Sequence, residues 1–555
     1  MIPFSTKRID QVKVLILTTY LIIHKKLLLM KKSYAWRLLP LIVLSLCFAL
    51  PKHVQAQDTL KNLPELSLPL TSNKLVIAHC MTHIIRYSGH GFEDGCNPAY
   101  YPVSGNASAA IGGYTQVNVM SDKFYKDSTL DQAVEFEMRS AMKAGIDGFQ
   151  FYYVLGNNSW DDIIKAYFRV ADAKNLDYWL RTPDGRMIMY LWYGEKLATI
   201  PANPAYADAF YVARAFRKLG NAIGEKIACV LAINDVISNT DLDAYLDYLP
   251  AVWLWTGGYT VANMDASIAA KCAARNRAYT GSVFNDFYTS KVLAPGTWDI
   301  QSVSAAVAAG IKNIERKHMV VGLSETFRKQ LEFAVSKNVP IINVITWNDY
   351  PEGHHMAPEV NHNYGFAVLL NHYKNIWKGQ ASPYNNRDVA IAFFKKYKNG
   401  VVPDPYKINS INIGSSTSSN YEDSIEVVTI MTSPGQLVVN GKTVTVPAGL
   451  TSTRFPYIAG AVKVSIYRNG VLTKDFTTPE WITNNPVRTD RLTYTFDSEY
   501  YRQLTIHLLY LGQRIYLLAY LLIQPQGLLP GHQLHRVFIK QLLLLLMLVV
   551  QILNS

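Results

Sequence analysis

The run from Ile341 to His355 reads Ile-Ile-Asn-Val-Ile-Thr-Trp-Asn-Asp-Tyr-Pro-Glu-Gly-His-His. An apolar strand-like segment leads straight into a turn carrying two carboxylates, two histidines, a tryptophan and a tyrosine. Breaking a glycosidic bond takes one protonated acid to assist the leaving oxygen and a second carboxylate that activates water or attacks directly. Asp349 and Glu352 supply such a pair within one loop. The rings of Trp347 and Tyr350 could stack on sugar faces, and Asn348, His354 and His355 could bind hydroxyls or tune a carboxyl pKa. The same spacing has a structural reading. An Asp followed three residues later by Glu is a helix capping box, and Pro351 suits a first helical turn. Spacing alone does not separate the two, but the position at a strand end and the density of polar and aromatic groups favour chemistry.

Elements to position that loop are visible on both sides of it. Apolar strand-like runs occur at Leu75–His79, Gly148–Tyr152, Met187–Trp192, Ile227–Ile233, Val252–Trp255, Tyr279–Phe284, Met319–Leu323 and Ile341–Thr346, with helical periodicity between them, as in 130–144 and 325–336. Eight repeats of this kind within 74–400 predict an α/β fold, a (β/α)8 TIM-like barrel whose active face lies beyond the strands' C-terminal ends. A doubly wound sheet is the rival, yet no glycine-rich phosphate turn follows the first strand. His79, Tyr153, Trp255 and Asp286 (with Asn285) also fall at strand ends. They are candidate substrate contacts, although a histidine such as His79 is more commonly satisfied by backbone and either ring could be core. Asp147 precedes its strand, which suggests the far side of the barrel. Residues 401–490 change character. Short β-branched runs separated by Asn440-Gly441 and Asn469-Gly470 predict hairpins and a small all-β sandwich, either a buttress or a sugar-binding module.

A net charge of +12 looks like a nucleic-acid signal, but its distribution excludes that class. Residues 1–56 hold nine Lys/Arg and one acid, and residues 500–555 hold four and none, so the stretch between is close to neutral. The leading charges belong to a targeting segment: Met30-Lys-Lys, an apolar run over 38–50, then Val54-Gln55-Ala56. This predicts a signal peptide cleaved after Ala56, an over-extended start before Met30, and a secreted or periplasmic protein with no stable membrane insertion of the mature part. A membrane anchor is the alternative. Residues 57–73 read as a linker. The end, 491–555, is read as an aberrant tail: from Tyr500 on it has no acids and fills with Leu and Gln, as a shifted reading frame or a wrongly joined end would produce. Of the cysteines left after cleavage, Cys80 and Cys96 are the preferred disulfide pair.

Trp347-Asn348-Asp349-Tyr350-Pro351-Glu352-Gly353-His354 resembles the Trp-Asn-Asp-Tyr-Gly-Glu-Ser-His signature of glycoside hydrolase family 71, the α-1,3-glucanases or mutanases. Weaker likenesses lie at Ala78-His79, Ala144–Phe149, Asp184-Gly185-Arg186, Val252–Trp255 and Arg468-Asn469-Gly470, so the resemblance spans roughly 75–475. It implies an endo-acting hydrolase of α-1,3-glucan that works by inversion, with Asp349 and Glu352 as the catalytic pair. Glu352 as general acid and Asp349 as general base is the preferred order, which the sequence leaves open, and a monomer without cofactor is expected. Pro351 and Gly353 depart from the signature. The interval from Tyr153 to Arg186 holds one helix where the family fits a further strand, which would leave the barrel a strand short. The alternatives are a glycosidase of another α-linked polysaccharide and an inactive carbohydrate-binding homologue. No metal is expected, because adjacent histidines such as His354 and His355 seldom chelate one ion.

Overall fold

The computed structural model describes residues 60–61, 66–68, 74–85, 87–88, 128–152, 158–176, 181–192, 208–233, 239–255, 261–289, 293–299, 301, 308, 315–359, 361–402, 409–415, 421–486 and 491–500. The targeting segment with its cleavage point at Ala56, Tyr153, Cys96 and the tail from 501 onward lie outside them. Seven expected barrel strands form close to their expected bounds, and the one expected at Met319–Leu323 is shifted to Glu315–Val320: β1 (Leu75–Met81), β2 (Gly148–Tyr152), β3 (Met187–Trp192), β4 (Ile227–Ile233), β5 (Ala251–Leu254), β6 (Ala278–Phe284), β7 (Glu315–Val320) and β8 (Ile341–Ile345). Seven of them join in one parallel sheet of order β2-β1-β8-β6-β5-β4-β3, an incompletely closed barrel. Strand β7 is the exception. It pairs in parallel with β10 (Asn409–Ser415), and β6 bonds directly to β8. No described strand fills the gap between β2 and β3, the place where the sequence holds only one helix.

Strands β1, β4, β5, β6 and β8 are buried on both faces, which is why they read as continuous apolar runs rather than alternating ones, while β2 and β3 at the sheet's edges are half-buried. On β4, Ala228, Val230 and Ala232 face the barrel interior with Trp253, Phe284 and Ile345, while Cys229, Leu231 and Ile233 pack outward against helices. The interior also holds polar links: Tyr190 donates to Asn343 Oδ1 at 2.7 Å, and Asn343 Nδ2 donates to Thr280 Oγ1 at 2.8 Å. Helix α1 (Leu130–Ala144) starts at a capping box made by Thr129 and Gln132 and stops at Gly145, whose φ of 95° suits a residue without Cβ. Asp147 binds Lys374 at 2.5 Å and accepts the Val76 N–H at 2.9 Å, a structural position at the N-terminal ends of the strands.

The antiparallel part consists of two four-stranded sheets, β14-β11-β9-β17 and β13-β12-β15-β16. The first contains β9 (Val389–Lys395), β11 (Ser424–Met431), β14 (Gly449–Pro456) and β17 (Thr493–Asp497). The second contains β12 (Gly435–Val439), β13 (Lys442–Val446), β15 (Gly460–Arg468) and β16 (Val471–Ile482). Strands β9 and β17 thus come from beyond the 401–490 stretch. Both Asn-Gly pairs turn hairpins with positive φ at each residue, as a type I′ turn requires. Strand periodicity puts β9 between two cores: Val389, Ile391 and Phe393 face the barrel, and Ala390, Ala392 and Phe394 face the second sheet. Cys80, expected to pair with Cys96, is a free buried thiol, as are Cys229 and Cys272. No helix among the described residues is long and apolar enough to cross a membrane.

Candidate active site

The chain leaves β8 at Ile345 and makes a single 3-10 turn over Tyr350–Glu352. Asp349 occupies the N-cap of that turn, but its side chain makes no capping hydrogen bond. The local link comes instead from the Thr346 hydroxyl, which accepts the Asp349 N–H at 2.9 Å. The carboxylate turns to His354, whose Nε2 lies 3.4 Å from Asp349 Oδ2 and 3.3 Å from Glu352 Oε2. One donor atom from each of the three residues falls within a 4.8 Å cluster. Asp349 is nearly buried, while the Glu352 side chain keeps 34% of its surface. Burial opposes a charge on His354, but the two carboxylates outweigh it and hold the ring up at about 9.

Aromatic groups from other strand ends surround the fork. Trp255 meets His354 edge-on at 5.9 Å and His79 at 5.0 Å, and Phe287 lies 6.0 Å from His354. His79 sits among Trp255, Tyr152 and Trp253. Burial pushes its pKa down to about 4 against the pull of Asp349, so the ring is neutral near pH 7. Strands β1, β2, β5, β6 and β8 therefore bring His79, Tyr152, Trp255, Phe287 and the two acids to one end of the barrel.

The remaining residues singled out in the sequence lie deeper. Trp347 is fully buried and donates from Nε1 to Glu137 at 2.7 Å. Asn348 braces the chain after β1: its Oδ1 accepts the Met81 N–H at 2.8 Å and its Nδ2 donates to the Ile84 carbonyl at 2.9 Å. Tyr350 packs on His355 with ring centroids 4.5 Å apart. His355 points away from the acid pair, toward Glu359 at 3.2 Å and the ring of His362 at 4.4 Å. Asp286 is fully buried. It accepts from Lys395 Nζ at 3.1 Å and from the Thr493 N–H, with His362 Nε2 3.5 Å away, and none of these contacts is to Asp349 or Glu352. Lys395 and the other contacts keep its carboxyl well below the usual range despite burial. Tyr152, Phe287, Glu137, Glu359 and His362 were not read from the sequence. The last two had a signal in the His355-x3-Glu359-x2-His362 spacing that continues the reactive stretch.

Gly353 closes the turn with φ 71° and no room for a side chain. A Cβ there would lie 2.6 Å from Leu492 Cδ2 and 2.9 Å from both the N and O of Tyr288. Tyr288 N in turn donates to the Glu352 carbonyl at 3.0 Å. The loop is thus held from below by the segment after β6 and by the strand entering β17.

Set against known proteins, residues 251–491 match glycosyl hydrolase family 71. A mutanase of Penicillium rubens is 28% identical over 159 residues, which cover 25% of this chain and 35% of the mutanase. Among solved structures, the GH99 endo-α-mannosidase of Bacteroides thetaiotaomicron aligns at 9% identity and TM-score 0.37, over 56% of this chain and 98% of that one. A chitinase of a Paenibacillus species aligns at 9% identity and TM-score 0.28, over 74% and 56%. The resemblance read from Trp347–His354 is borne out: the segment 251–491, which carries both acids, is a match to glycosyl hydrolase family 71.

Proposed function

We propose that this protein is a secreted glycoside hydrolase that cuts within α-1,3-linked glucan, with Glu352 as general acid and Asp349 as general base. The observation carrying this reading is the acid pair itself: two carboxylates at the C-terminal end of β8, neither used as a cap, meeting at His354 amid strand-end rings. Glu352, the more exposed, suits the acid that must reach a leaving oxygen, and the buried Asp349 suits the group that holds a water. The family match and the printed activity of the Penicillium relative support the substrate class. Inversion needs carboxyl groups about 6.5–9.5 Å apart. The nearest oxygens here stand within 4.8 Å, so inversion requires Glu352 to swing outward from His354 and admit a water.

The test is an assay on insoluble α-1,3-glucan, with α-1,4-glucan and yeast mannan alongside, for wild type, Glu352→Gln and Asp349→Asn. Reducing ends should appear from α-1,3-glucan alone. Each variant should lose at least about 10²-fold, and the first product seen by NMR should be the β-anomer. Binding without release of reducing ends, or a Glu352→Gln enzyme as active as wild type, would overturn the reading. Secretion is tested by sequencing the mature N-terminus, expected at Gln57.

A further inference from the structure

Behind the acid pair lies a second cluster that glycoside hydrolysis does not use. His355, Glu359 and His362 are at most 1% exposed, and one donor atom from each falls within a 4.8 Å cluster. Three other fully buried carboxylates in this part of the molecule have cations: Asp286 has Lys395, Glu422 has Lys395 and Arg491, and Glu426 has Arg328. Glu359 has no Lys or Arg partner among the described residues. Its only ion-pair contact is His355 Nε2 at 3.2 Å, while the backbone N–H groups of Asn361 (2.8 Å) and His362 (2.5 Å) fix its orientation. A buried carboxylate without a compensating charge costs several kcal/mol. His362 Nδ1 donates to the His355 carbonyl at 2.8 Å, which fixes the ring with Nε2 turned into the cluster. That nitrogen faces Asp286 Oδ2 at 3.5 Å. Neither ring nitrogen of His355, nor Nε2 of His362, has a hydrogen bond of sound geometry.

We propose that His355, Glu359 and His362 hold one divalent transition-metal ion, zinc by the chemistry of its donors. Two imidazoles and a carboxylate, with one imidazole oriented by a backbone carbonyl, are the donor set and supporting contact that zinc takes. Asp286 or a water would complete four-coordination. Bond lengths of about 2.0–2.2 Å ask the donors to draw together by roughly 1 Å. The objection that adjacent histidines do not share an ion does not apply, because His354 turns to the acid pair and His355 to Glu359. An ion here would be structural: it would pin the loop after β8 to Asp286, and through Lys395 and the Thr493 N–H to the sandwich.

The test measures metal in the full-length protein purified without chelator and dialysed against metal-free buffer. One zinc per chain is expected. X-ray absorption at the zinc edge should show two imidazole ligands, and a strong chelator should remove the ion and lower Tm by several degrees. Glu359→Gln and His362→Gln should both lose the ion, and His354→Gln should keep it. Metal-free wild type whose Tm ignores both added zinc and chelator would overturn the proposal. So would an ion that survives Glu359→Gln and His362→Gln but leaves with His354→Gln, since it would then sit at the acid pair.

Discussion

Replacing Gly353 by alanine probes whether the acid pair depends on the loop geometry described above. The new Cβ meets three atoms, and they differ in how far they can yield. Leu492 Cδ2, at 2.6 Å, ends a flexible side chain and can rotate. The N and O of Tyr288, at 2.9 Å, are backbone, and that N is already bonded to the Glu352 carbonyl at 3.0 Å. A left-handed conformation costs a non-glycine residue about 1–2 kcal/mol, and overpacking against a rigid neighbour adds roughly 1–3 kcal/mol. The sum, on the order of 2–5 kcal/mol, is relieved most cheaply by lifting the turn off Tyr288, and Glu352 moves with it. Displacing a catalytic group by about 1 Å costs around 10²-fold. We therefore expect Gly353→Ala to lower kcat on α-1,3-glucan by tens- to a hundredfold, with KM changed little because the surrounding rings stay in place. Thermal melting should fall by several degrees. Serine, the residue of the family signature at this position, should behave like alanine. If either variant melts and turns over like wild type, the close approach of Tyr288 is not a constraint and the reasoning fails.

Lys395 is buried between Asp286 and Glu422, so Lys395→Met leaves two buried carboxylates short of a partner. The expected cost is about 3–5 kcal/mol in chemical denaturation, and a loss under 1 kcal/mol would show the pairs to be solvated. His79, held neutral with a pKa of about 4, stays unprotonated in the fold while the unfolded chain titrates near 6.5. Between those values the unfolded state binds more protons, so stability falls as pH drops through the window, by about 1.4 kcal/mol per pH unit for this one group. His79→Phe should remove that slope, read as the difference between wild-type and variant denaturation curves from pH 7 to pH 4. Parallel curves would contradict it.

Much of the barrel was legible because its central strands are buried on both faces: Ile227–Ile233 and Ile341–Ile345 stand where their apolar runs predict, and the half-buried edge strands Gly148–Tyr152 and Met187–Trp192 do too. Strand β7 shows where such reading stops. Its apolar residues suggest a strand from Met319, yet it begins at Glu315 and includes Arg316, Lys317 and His318. Those polar side chains are buried against partners distant in sequence: Lys317 donates to the Thr297 carbonyl at 2.5 Å and lies over Trp298, and Arg316 reaches Tyr288. Periodicity carries no information about such partners, nor about which strand β7 pairs with. The site divides in the same way. Residue types marked the 347–355 loop, but adjacent residues in it serve different surroundings. Trp347 goes to Glu137, Asn348 to the chain after β1, His354 to the acids and His355 to Glu359. Only the turn geometry after β8 decides that distribution.

That geometry depends on both parts of the molecule. The acids stand at the barrel's rim, but the surface under Gly353 is Leu492, one residue before β17, and Tyr288 joins Glu352 by a backbone hydrogen bond. Asp286, at the end of β6, is bound by Lys395 of β9 and by Thr493 of β17. Strand β9 meanwhile gives alternate side chains to the two cores, so neither core is complete without it. A module tethered only to bring polymer near would share a small wet interface with the barrel. An interface built on a shared strand and buried ion pairs instead fixes the floor of the loop that carries the proposed acid pair. With Glu352 as the proposed acid, the sandwich would act on the chemistry through its position, and substitutions at its contact with that loop should alter turnover before they alter polymer binding.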